Sequence, residues 1–221
     1  MIKLELIGRS SSHFTRVPRI FAHELGLELE VEPVGDLVSV DRDRFAGNPA
    51  LKIPTLRRGG SLVFGAENIC RTLVESSSAK LRVVWPEELR SDVSRNAQEL
   101  VWHAMAAQVQ LVVGTVVGKL PADNLYFTKG RAGFEGALQW LDEHLDEALA
   151  ALPTQRDLSL FETTLYCLFD HLSFRPTVPT APYARIAEFA RLFGARSSAL
   201  ATQFRFDPPG VTRPASTQQP S

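Results

Sequence analysis

The chain has 221 residues, 24 Lys and Arg against 25 Asp and Glu, and 44% hydrophobic residues. Its formal net charge of −1 argues against a protein that neutralises phosphates, so no nucleic acid is expected as a partner. Two cysteines, Cys70 and Cys167, make neither a disulfide framework nor a tetrahedral metal site; the reading is a cytoplasmic, reducing-compartment chain with no metal.

The amino-terminal stretch carries Glu5 among alternating apolar residues, which is the pattern of a strand and not of a signal peptide. Residues 2–7 alternate with a period of two and predict a half-buried strand. Ser10, Ser11 and Ser12 are helix-starting residues. Val17, Ile20, Phe21 and Leu25 follow at helical spacing, closed by Gly26. Residues 27–34 alternate again as a second strand, and residues 36–47 read as a short or irregular helix. Two strand-like runs flank Arg58-Gly59-Gly60, which suits a tight hairpin, and a helix runs from Glu67 to Val74. The order is β-α-β-(α)-β-β-α, a small α/β layer structure.

Residues 76–86 read as a linker, and beyond them only helical patterns are visible. Pro86 to Leu120 fits one long helix, and Val109 to Val117 within it is far shorter than the roughly 20 apolar residues a bilayer requires. No membrane is therefore expected. Thr128 to Leu152 is amphipathic. Ser159 and Glu162 form a capping-box pattern at the start of a third helix, and Ala181 to Phe193 is a fourth. The expected domains are 1–78, an α/β domain, and 86–207, all helical, with 208–221 a mobile tail.

Three segments could carry chemistry. Ser12-His13-Phe14-Thr15-Arg16-Val17 lies where a strand meets a helix. A helix amino end attracts anions, so a thiolate there would be stabilised, and a serine hydroxyl could donate to it. The bland alternative is that Ser12 only caps the helix. Asn48-Pro49-Ala50-Leu51-Lys52-Ile53-Pro54 places a proline at a strand start, either an edge-strand proline or a cis bond that turns the Ile53 backbone outward. Glu67 and Asn68 open a helix, where Asn68 could cap and the pair could bind an ammonium and a carboxylate.

In combination these segments resemble the amino-terminal domain of the cytosolic glutathione transferases, of the serine type found in bacteria. Residues 16–27 are also similar to the family's first helix. The resemblance implies a thioredoxin-like domain followed by an all-helical bundle, in the order already read from the residues. It implies glutathione as co-substrate, with Ser12 donating to its sulfur. Ser11 or Ser10 takes that role if the register shifts. Ile53 and the cis Pro54 would meet the cysteinyl part, Glu67 and Asn68 the γ-glutamyl end, and Lys52 the glycine carboxylate, with His13 at the rim. A small hydrophobic electrophile would sit against Phe14, Trp102 and Met105. The implied activity is thiol activation for detoxifying conjugation by a homodimer. Glutathione-dependent isomerisation or dehalogenation, or a non-catalytic scaffold with the same fold, are the alternatives.

Overall fold

The computed structural model describes residues 3–208. They fall into two compact units, one of residues 3–77 with 203–208 and one of Ser78–Thr202.

In the first unit, β1 (Leu4–Gly8), α1 (His13–Glu24), β2 (Glu30–Pro33), β3 (Thr55–Arg58), β4 (Ser61–Phe64) and α2 (Ala66–Ser76) follow in order, with a 3-10 turn at Arg42–Phe45. The sheet order is β2-β1-β3-β4. β1 runs parallel to β2 and antiparallel to β3, and the β3–β4 hairpin turns at Gly59 and Gly60 between the paired Arg58 and Ser61. Gly59 has a φ of 57°, the left-handed conformation that such a two-residue turn needs and that glycine adopts without cost. This is the element order read from the residues and the thioredoxin-like arrangement that the family resemblance implies. Leu6, Ile20, Phe21, Leu56, Ile69 and Leu73 are fully buried and form its core between the sheet and the two helices. On the side of the 3-10 turn, Ile7, Val34 and Phe45 make a smaller cluster against which Leu51 and Ile53 pack.

The second unit is helical: α3 (Asp92–Leu111), α4 (Leu125–Ala150), α5 (Leu160–Phe174), α6 (Ala184–Gly194) and α7 (Ser197–Ala201). Besides the five-residue α7, which the sequence reading did not include, it departs from that reading in three places. A short parallel pair, β5 (Val83–Val84) and β6 (Leu158–Ser159), lies where only helices were expected. Two-residue strands are too short to leave a periodic signal. The helix expected from Pro86 to Leu120 is divided: a 3-10 turn at Pro86–Glu88 precedes α3, and a π-helical segment at Val112–Val117 follows it. Ser91 makes the break by capping α3, its hydroxyl accepting from the Ser94 amide at 3.0 Å. The capping box at Ser159 is half formed. Its hydroxyl accepts from the Glu162 amide at 3.4 Å, but the Glu162 carboxylate turns to Arg156, with 2.8 Å to both Nε and Nη2.

The continuous run Asp92–Val117 is long and apolar enough, by length and composition, to cross a membrane, which the shorter apolar stretch noted in the sequence is not. In this fold it packs on α4 and α5. The tail expected at 208–221 lies, from residue 209 onward, outside the described residues.

Candidate functional site

The loop between β1 and α1 is built by close packing. Gly8 ends β1 against Thr15: a Cβ added at Gly8 would stand 2.6 Å from both Oγ1 and Cγ2 of Thr15. Thr15 Oγ1 in turn accepts from the Arg9 amide at 3.3 Å, and the Arg9 side chain donates to the carbonyls of Val34 (2.7 Å) and Gly35 (2.6 Å). Held this way, the chain turns through a Ser12 amide to Arg9 carbonyl bond of 3.0 Å and enters the helix at Ser12.

Ser12 is the N-cap of α1, with φ −101° and ψ 126°, and its Oγ accepts from the Thr15 amide at 3.3 Å. A hydroxyl that accepts in this way still has its own proton to give. The residue is half-buried, and the first turn of α1 carries no acidic side chain to offset the positive helix end. Ser10 is buried and Ser11 half-buried, and neither caps the helix. His13 was expected at a rim. The structure instead buries it at 2% exposure, its ring 4.9 Å from that of Phe14.

The second segment is organised by Asn48, which the sequence reading did not single out. It is 3% exposed. Its Nδ2 donates to the Lys52 carbonyl at 2.9 Å and to Thr55 Oγ1 at 3.4 Å, and its Oδ1 accepts from the Ala50 amide at 3.0 Å. The bend so formed leads to Ile53–Pro54, a cis peptide bond. Ile53 lies just beyond the end of the β1–β3 ladder, whose last pair is Ile7 with Thr55, so its backbone is not committed to that sheet. Lys52 is exposed.

The third segment corrects the expected cap. Gly65, at φ 85°, is the N-cap of α2 and provides no side-chain cap; Asn68 sits three residues further on and donates from Nδ2 to the Phe64 carbonyl at 3.2 Å. The first turn of α2 therefore presents backbone amides uncapped by any side chain. Glu67 lies in that turn and is paired with Arg71, whose Nε and Nη2 reach Oε1 at 3.0 and 2.8 Å.

A fourth contributor was invisible in the sequence. Residues 203–208 return to the first unit, where Asp207 Oδ2 accepts from the Ser10 amide at 3.0 Å. Phe204 covers the fully buried Arg16, whose guanidinium lies 4.3 Å from the ring centroid. These contacts join residues nearly 200 positions apart, and nothing local in the sequence marks them. The expected electrophile residues divide between the units: Phe14 is half-buried in α1, Trp102 half-buried in α3, and Met105 wholly buried in α3. Among the described residues no group of His, Cys, Asp or Glu is arranged to hold a metal ion.

Residues 11–76 match the family model described as Glutathione S-transferase, N-terminal domain. No curated protein matches the chain. Among solved structures, a glutathione S-transferase of Methylobacillus flagellatus with glutathione bound is 20% identical, covering 92% of this chain and 100% of its own, with a TM-score of 0.70. A glutathione transferase family member from Pseudomonas fluorescens, also with bound glutathione, is 20% identical over 92% of this chain and 100% of its own, at a TM-score of 0.72. A glutathione S-transferase of Methylobacterium radiotolerans in complex with glutathione sulfonate gives 19%, 94%, 98% and 0.70 for the same four quantities. The chain thus has the glutathione transferase fold over nearly its whole length.

Proposed function

We propose that this chain, which has the glutathione transferase fold and an N-terminal segment matching that family's model, is a glutathione transferase that activates the glutathione thiol for attack on a small hydrophobic electrophile. The observation that carries the reading is Ser12 at the amino end of α1, its hydroxyl proton available and no acidic residue in the turn behind it. A free thiol with a pKa near 8.5 is only a few per cent ionised at neutral pH. A hydroxyl donor and a positive helix end that lower it by about 1–2 units make the thiolate a major species. The sulfur then needs only an electrophile held beside it.

The remaining residues fit the rest of the tripeptide. Ile53, off the end of the ladder, offers backbone to an extended cysteinyl residue in the manner of an added strand. The uncapped amides of Ala66, Glu67 and Asn68 suit the γ-glutamyl carboxylate, while the Glu67 side chain suits its ammonium group. Lys52 is exposed and its ammonium group suits the glycine carboxylate, and Pro54 shapes the same bend. Half-buried Phe14, its ring 4.9 Å from that of buried His13, is the first unit's side chain assigned to the electrophile. The protein is read as cytoplasmic, detoxifying and homodimeric. Exposed apolar side chains support a second copy as partner: Leu62 and Phe64 on edge strand β4, and Leu125 and Tyr126 in the second unit.

One observation favours the scaffold alternative, namely that Glu67 already holds Arg71. Calorimetric titration with reduced glutathione separates the two. The transferase reading expects binding by the wild type, retained binding by Ser12→Ala, and a thiol pKa depressed in the wild-type complex but not in the variant. A panel of chloro-aromatic, epoxide, peroxide and maleyl substrates then identifies the electrophile. Absence of heat at millimolar glutathione rejects the reading.

A further inference from the structure

The short segment that follows α7 does not trail away from the fold. It is fixed to the first unit on both sides of Ser12. Two residues before Ser12, the Ser10 amide donates to Asp207 Oδ2 at 3.0 Å and the Ser10 carbonyl accepts from the Arg205 amide at 3.5 Å. Four residues after it, Arg16 lies beneath Phe204 and closes the first turn of the helix, its amide bonded to the Ser12 carbonyl at 3.0 Å. Ser10 is 2% exposed and Arg16 fully buried, so both anchors lie inside the fold. A buried backbone amide needs an acceptor. Here a carboxylate far away in sequence supplies it, and a charge-assisted bond of this kind is among the stronger ones available to a loop.

Asp207 bonds the Ser10 amide, two residues before the hydroxyl assigned to the sulfur. Its effect is one step removed. We propose that Asp207 is a positioning residue: by accepting the Ser10 amide proton it holds the β1–α1 loop so that the Ser12 hydroxyl meets the glutathione sulfur. This rests on the function proposed above. Geometry and charge act in opposite directions at this residue, which makes the role separable from a general one. A negative charge near a forming thiolate opposes ionisation, whereas a correctly placed hydroxyl favours it. Removing only the charge should therefore leave the thiol no harder to ionise, while removing the acceptor should make it harder.

The test compares Asp207→Ala and Asp207→Asn with the wild type by ultraviolet titration of the thiolate in the glutathione complex, alongside steady-state kinetics with a chloro-aromatic substrate. Asparagine keeps an acceptor oxygen and loses the charge. The expected result is a thiol pKa about one unit higher in Asp207→Ala, roughly three- to eightfold less thiolate at neutral pH, and kcat lowered by a similar factor with KM for glutathione within about twofold. Asp207→Asn should ionise at or below the wild-type pKa. Two results overturn the proposal: an Asp207→Ala complex that ionises like the wild type, or an asparagine variant that is as impaired as the alanine one. A wild type whose bound thiol ionises as in free solution defeats the function itself, whereas a shifted wild type with an unshifted Asp207→Ala defeats only the positioning role.

Discussion

Asn48 holds Thr55 across the bend that introduces β3: its side-chain amide donates to the Thr55 hydroxyl at 3.4 Å and to the Lys52 carbonyl at 2.9 Å, and the same hydroxyl donates to the Phe45 carbonyl at 3.4 Å. One buried polar side chain therefore sets the path of the segment that carries Ile53. Asn48→Ala removes both donors, leaves buried acceptors without them, and should destabilise the protein by about 1–3 kcal/mol. Asn48→Asp keeps the acceptor for Ala50 but replaces the donor amide with a buried charge, and should cost at least as much. Urea unfolding measures both. Because Ile53 is assigned to glutathione, the alanine variant should also bind it several-fold more weakly by calorimetry; undiminished affinity would show that the bend does not position the tripeptide.

Gly8 is a second point at which packing reaches the site. There the chain conformation does not require glycine, but the space does, since Thr15 would stand 2.6 Å from an added Cβ. The atoms met are those branching directly from a buried Thr15 Cβ, with no long side chain to swing aside. Gly8→Ala should therefore cost about 1–3 kcal/mol through forced displacement of the first turn of α1. A Gly8→Ala, Thr15→Ser double variant, which removes the methyl, should recover part of that loss in thermal unfolding. No recovery would place the strain elsewhere.

The first unit was legible because its elements are long enough to show their period. Residues 2–7 alternate where β1 lies, the 17, 20, 21 and 25 spacing marks the buried face of α1, and Gly59-Gly60 marks the hairpin. Ser12 could be placed at the entry of α1 for the same local reason. What escaped is long-range or very short. Asn48 reads as an ordinary turn residue until Thr55 is brought beside it, and Asp207 finds Ser10 only through the whole fold. Asn68 has the chemistry of a cap, but Gly65 begins the helix three residues earlier. Glu162 has the spacing of a capping box, yet an arginine outcompetes the backbone amide for its carboxylate.

A half-buried ion cluster on the sheet gives the stability a dependence on acid. Glu5 lies opposite Arg57 in the β1–β3 register, and its two oxygens contact Lys3 Nζ at 2.6 Å and Arg57 Nη1 at 2.7 Å. Lys3 first, then Arg57, hold its carboxyl at about 2 against an ordinary 4.5. A carboxyl whose folded pKa is depressed contributes stability that is full above the unfolded value and is lost as pH falls toward the folded one. The window is therefore from about pH 5 down to about pH 2, and solvent screening leaves a contribution of about 1 kcal/mol. Glu5→Gln should lower unfolding free energy by that amount at pH 7, and the difference from wild type should shrink steadily toward pH 2. A difference independent of pH would mean that Glu5 acts through packing and not through charge.

The entry to α5 tests how its cap works. In a capping box, Ser159 and Glu162 would depend on one another, since each side chain satisfies the other residue's amide. Here the Ser159 hydroxyl serves the Glu162 amide, while the Glu162 carboxylate is held by Arg156 and raises that guanidinium's pKa. Ser159→Ala should cost about 1 kcal/mol as an ordinary lost cap. Because the Glu162 side chain is committed elsewhere, adding Glu162→Ala should be additive with Ser159→Ala to within about 0.5 kcal/mol. Arg156→Ala and Glu162→Ala share one half-buried ion pair and should couple by about 0.5–1 kcal/mol. The reverse pattern in denaturant double-mutant cycles, with Ser159 and Glu162 coupled and Arg156 independent, would restore the reciprocal box and reduce the arginine contact to a surface pairing without energetic weight.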